Sequence, residues 1–122
     1  GEWWLPTMDA DGPVFGNTKT YVELFEEAHG KTPDYHASCG AAAATILQLA
    51  IERAGSIEAD AVRAELLKMD ETLATFPGVK FNEKGQNVSS EHPVVQVQNG
   101  EYVVVYPPQN EAVYPMPRWN ER

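Results

Sequence analysis

The dipeptide Asn99-Gly100, set between Val94–Gln98 and Glu101–Tyr106, constrains the fold of this chain more than any other feature. A two-residue turn of type I′ needs positive φ at both central positions, and Asn followed by Gly meets that need at least cost. Once the turn is fixed the register follows. Val97 faces Tyr102 and Val95 faces Val104, so the hairpin carries one wholly apolar face that needs cover.

Upstream of this hairpin the pattern is helical. Asn17 is an N-cap, Tyr21, Leu24, Phe25 and Ala28 follow at helical spacing, and Gly30 supplies a stop, which predicts a helix over 18–29 with Glu23, Glu26 and Glu27 on its solvated side. Thr32-Pro33-Asp34 starts a second, longer helix from Tyr35 to Gly55, whose first half, Ala37–Ala44, holds only small side chains. Ser56 is read as the cap of a third helix. Glu58 and Asp60 lie in its first turn, Ala59, Val62, Leu66 and Met69 line one face, and its end falls near Asp70. A short strand, Val79–Phe81, is bracketed by Pro77-Gly78 and by the polar turn Asn82–Asn87. Residues 1–16, with the turn signal Asp11-Gly12-Pro13, read as a short strand or extended lead-in followed by a loop. The proline-rich stretch from Pro107 forms an extended tail. The chain is therefore α+β: about three helices followed by a short strand, a β-hairpin and an extended tail.

Charge narrows the partners. Eighteen acidic against nine basic side chains give a formal charge of -9, which repels nucleic-acid backbones and anionic lipid surfaces. No apolar run approaches the roughly 20 residues of a membrane-spanning helix, so neither nucleic acid nor a membrane interior is an expected partner.

Chemistry-bearing motifs are few. Gly12-Pro13-Val14-Phe15-Gly16 lacks the spacing and the lysine of a phosphate-binding loop, and no nucleophile elbow or paired-histidine zinc motif occurs. The single cysteine, Cys39, lies three residues after His36 and shares a helix face with it, the one arrangement that suits an activated thiol. In so alanine-rich a segment a lone cysteine is better read as a small buried hydrophobe. His29, His36 and His92 share no ligand spacing, and Asp9 and Asp11 lack the later ligands of a calcium loop. No catalytic residue, metal or cofactor is expected. Trp3, Trp4 and Trp119 read as anchors of the chain ends onto a core.

Seven segments in order carry a resemblance. They are Gly-Pro-Val-Phe-Gly-Asn-Thr (12–18), Pro-Asp-Tyr-His-Ala (33–37), Ala-Ile-Glu-Arg-Ala-Gly-Ser (50–56), Ala-Val-Arg-Ala-Glu-Leu (61–66), Val-Lys-Phe-Asn-Glu-Lys-Gly-Gln-Asn (79–87), Val-Gln-Val-Gln-Asn-Gly (95–100) and Tyr-Pro-Met-Pro-Arg-Trp (114–119). Together they resemble the final third of periplasmic solute-binding proteins of the branched-chain amino acid (Leu/Ile/Val) type, which serve ABC importers. Members of that family resemble a clamshell of two α/β lobes that closes over a small ligand and presents it to a permease.

The resemblance implies a partial type I periplasmic-binding-protein fold. Residues 1–87 would be the helical part of one lobe, and 88–122 the hairpin and tail crossing to the other, in a single incomplete domain. It implies a periplasmic or extracellular setting, an amino acid or similar small polar solute, and an ABC permease as partner of the full-length relative. It also implies that the start of the second helix faces the ligand cleft, which makes Tyr35, His36, Ser38 and Cys39 the candidate ligand contacts. One departure is visible: relatives commonly carry a Tyr-Ala-Ala step where this chain has Ala41-Ala42-Ala43. The parallel strands on which the helices of such a lobe rest are absent from this sequence, so self-association, by packing helix faces or exchanging hairpins, is the expected way to cover the exposed faces. The rival expectation is an autonomous oligomerising module that keeps the helices and no longer binds solute.

Overall fold

The structure is a computed structural model that describes residues 4–89 and 92–106. The chain separates into two compact units, one of residues 3–91 and one of residues 92–122 with the first two residues.

In the first unit the chain begins with a small ladder of β1 (Asp11–Gly12) and β2 (Gly16–Asn17), closed by a tight turn. The amide of Phe15 donates to the carbonyl of Pro13 across Val14, which sits at φ 73°, a strained conformation for a β-branched residue. Three helices follow: α1 (Thr18–His29), α2 (Tyr35–Ala54) and α3 (Ala59–Leu66). The first two have the ends that the sequence dictates. Asn17 Oδ1 accepts from the Thr20 amide and Gly30 closes α1 in the left-handed region, while Asp34 Oδ1 accepts from the Ala37 amide and Gly55 closes α2 in the same way.

The third helix is shorter than expected at both ends. Ser56 is not its cap: its hydroxyl accepts from the Glu58 amide, which tightens the approach, and the N-cap is Glu58, with no side-chain bond. At the other end the chain turns tightly through Lys68 and Met69, whose amides donate to Glu65 and Leu66. Met69 is thereby buried, and the residues expected to end the helix lead into β3 (Asp70–Leu73) instead.

β3 pairs antiparallel with β4 (Phe76–Lys80), which begins earlier than the expected Val79–Phe81 and takes in Pro77 and Gly78. Phe81 lies past the strand, in an isolated bridge with Asn87 that closes the polar turn. Asp70 pairs with Lys80 across the two strands, and Arg53 at the end of α2 reaches Glu71 at 2.7 Å. These ion pairs hold an acidic strand that has little strand propensity of its own.

The core of this unit lies where α2 and α3 meet the β3–β4 ladder. Ala42, Ala50, Val62, Met69, Leu73 and Val79 are buried there, with Ile46, Leu49, Leu66 and Phe81 packed around them. A second, aromatic cluster fixes the lead-in. Trp4 is 1% exposed, meets Tyr21 edge-on at 5.7 Å, and donates its indole N–H to the carbonyl of Ala74. The same carbonyl accepts from the Thr18 hydroxyl at 2.9 Å, so one acceptor ties the lead-in and the start of α1 to the β3–β4 turn. Trp4 is thus an anchor; Trp3, Trp119 and the expected tail lie outside the described residues. Gly12 is required at this junction, because a Cβ there would fall 2.7 Å from backbone atoms of Thr72, Leu73 and Ala74.

The second unit holds β5 (Val94–Gln98) and β6 (Glu101–Tyr106), paired antiparallel with Asn99 and Gly100 both at positive φ. Val97 pairs with Tyr102 and Val95 with Val104, the register set by the turn. A bulge between Val94 and Val95 leaves Val105 as the extra residue. The apolar face is covered at its base only: Val104 is buried, whereas Val97 and Tyr102 beside the turn are 58% and 57% exposed.

The described residues form a small α+β protein of three helices and three two-stranded antiparallel sheets.

Candidate ligand site at the start of the long helix

Asp34 organises the start of α2. Its carboxylate accepts from the Ala37 amide at 2.9 Å and its carbonyl accepts from the Ser38 amide at 3.1 Å. The Ala37 N–H holds the Asp34 carboxyl below the usual carboxylate range, with the neighbouring charge and amide of His36 and the charge of Lys31 acting in the same direction against a smaller desolvation effect. The site therefore carries a fixed negative charge at the head of a helix.

The four candidate residues divide between two faces. Tyr35 is half-buried and His36 exposed, and their rings lie 3.9 Å apart at a 40° tilt, forming an aromatic ledge beside Asp34. Ser38 is completely buried and its hydroxyl donates to the Tyr35 carbonyl at 2.9 Å, a bond within the helix itself. Cys39 is half-buried and opens onto a cavity of about 210 Å³ together with Ala42, Ala43, Ile46, Phe76, Val79, Phe81 and Asn87.

That cavity is apolar in effect. Its amide group, Asn87, donates to the Gly78 carbonyl and accepts from the amides of Lys80 and Ser89, so its polar atoms are already engaged. Burial pushes the Cys39 thiol up, partly offset by a hydrogen bond with Ser38. Among the described residues no hydrogen bond joins His36 to Cys39. A thiol so placed stays protonated at neutral pH, the opposite of what a nucleophile needs.

The structure adds Tyr21 to this neighbourhood. Its hydroxyl is buried without a hydrogen-bond partner, and burial, with the charge of Asp34 and, at alkaline pH where its thiol ionises, that of Cys39 adding to it, pushes the phenol up. The sequence places Tyr21 on the apolar stripe of α1, and nothing in its spacing signals that its hydroxyl comes within electrostatic reach of the α2 start. Asp34 is legible in the sequence as a cap, though not as the fixed charge of a site.

Among the described residues no three His, Cys, Asp or Glu side chains gather as a metal site, and no helix is long and apolar enough to cross a membrane. No family model matches the chain, and no solved structure matches it significantly.

Proposed function

We propose that the chain is the C-terminal part of a solute-binding protein of the Leu/Ile/Val type, whose parent clasps an amino acid or similar small polar solute for an ABC permease and performs no chemistry on it. The parent works in the periplasm or outside the cell. The observation that carries this reading is the start of α2, where the Tyr35–His36 ledge lies open beside an ionised Asp34. A carboxylate followed in the chain by two aromatic rings offers the ammonium group of an amino acid both charge and a π face. The ordered resemblance of the seven segments supports the same reading.

The test is a titration of the isotope-labelled chain with L-leucine, followed by amide chemical shifts. Saturable shifts at Tyr35, His36 and Cys39, weakened about ten-fold by Tyr35→Ala, are expected; a chain whose α2 amides ignore leucine contradicts the reading.

A second reading, an autonomous association module, is favoured by one specific observation: Leu24 on α1 is 50% exposed although it belongs to a helical apolar stripe. Light scattering separates the two. A dimer that Leu24→Glu converts to monomer supports association through α1, and a monomer at every concentration removes it.

A further inference from the structure

A second cavity, of about 240 Å³, is lined by Arg63, Leu66, Leu67, Phe81 and Gly85, and shares Phe81 with the cavity beside Cys39. Its walls are apolar side chains from the end of α3 and from the residue that leads out of β4, and its charged member is a guanidinium.

Acids outnumber bases two to one, and Arg53, Lys68, Lys80 and Lys19 each have a carboxylate partner. Among the described residues Arg63, like Lys31 and Lys84, has no carboxylate partner, and of these three bases it is the one that lines the cavity. It is oriented instead by a single bond from Nη2 to the Glu83 carbonyl at 3.2 Å, which leaves the other guanidinium donors available.

The rim is pre-built. Asn82 Oδ1 accepts from the amides of Lys84 and Gln86, the Gly85 amide donates to the Asn82 carbonyl, and Gly85 sits at φ 77°. At the end of α3 the amides of Leu67, Lys68 and Met69 occupy the carbonyls of Arg63, Glu65 and Leu66.

We infer that this pocket binds a small monocarboxylate with an apolar body, the carboxylate paired with Arg63 and the body against Leu66, Leu67 and Phe81. The pairing follows from a planar donor fork beside an apolar wall, the arrangement that recognises a carboxylate while covering hydrocarbon. The volume lies below the roughly 300–1,000 Å³ of sites for drug-sized ligands, which limits the body to one ring or a short branched chain. The inference stands apart from the α2 site, and neither depends on the other.

The experiment titrates the labelled full chain with sodium phenylacetate at constant ionic strength, with phenylacetamide as the uncharged probe of the same shape. Saturable shifts are expected at Leu66, Leu67 and Gly85, with phenylacetate bound about five-fold more tightly than phenylacetamide, the upper end of what an exposed ion pair contributes. Arg63→Gln abolishes that preference, so that the two probes bind alike. Arg63 is exposed, so the variant folds as the parent does. The proposal is overturned if neither probe shifts these residues, if the two bind equally, or if Arg63→Gln keeps the preference.

Discussion

Helices α1 and α2 begin and end by the same devices, an Asn or Asp cap and a left-handed glycine, yet they differ in what covers them. In α2 the buried positions Ser38, Ala42, Thr45 and Ala50 run along most of the helix, and the helix packs on α3 and β4. In α1 only Thr18 and Tyr21, both in the first turn, are buried; beyond them Leu24 is half exposed. The comparison teaches that capping sets where a helix lies along the chain, whereas burial depends on what the rest of the fold supplies. α1 has the stripe of a helix that rests on a larger surface, and such a surface is what a lobe of the proposed parent would offer.

The difference can be sharpened by substitution. Leu73 is 1% exposed in the core under α2, so Leu73→Ala lowers stability by about 3 kcal/mol, measured by urea unfolding. Gly12→Ala acts where β1 passes β3 and costs about 2 kcal/mol, because the new Cβ meets backbone atoms that cannot rotate away.

Acid has a smaller, local effect. The Asp34 carboxyl is held below its unfolded-state value, so its contribution to α2 is present above that value and lost as pH falls through the lower, folded one. Amide shifts of Tyr35–Ala37 should therefore move in the acid range below about pH 4, and Asp34→Asn, which keeps the cap and removes the charge, should abolish that movement. Smallest of all is Leu24→Gln on α1, expected within about 0.5 kcal/mol of the parent in the same urea series. A loss there as large as that of Leu73→Ala would erase the contrast between the helices.

The sequence made some of this visible through local chemistry. Asn17, Gly30, Asp34 and Gly55 act on their nearest neighbours, so the ends of α1 and α2 could be read from them. Asn99-Gly100 did the same for the hairpin register. What escaped was held by distant partners. Asp70-Glu71-Thr72-Leu73 is a strand because Lys80 and Arg53 neutralise its acids and Val79 and Phe76 lie opposite, none of which its own composition announces. Ser56 was misread as a cap because it does bond a backbone amide, two residues onward, ahead of the helix it was expected to start. At the candidate site, Tyr35, His36, Ser38 and Cys39 were named as ligand contacts only through the family resemblance, and the burial of Ser38 and the approach of Tyr21 come from packing, which no spacing rule encodes.

Residue-resolved hydrogen exchange of the chain bears most directly on the contrast between a helix anchored at one end and a helix built into a core. The amides of Leu24–His29 should exchange at least about a hundred-fold faster than those of Ala42–Ala50, since they open without disturbing the core. Equal protection along both helices would mean that α1 is already covered in the isolated chain, and would contradict the reading of it as a helix shaped for a larger lobe.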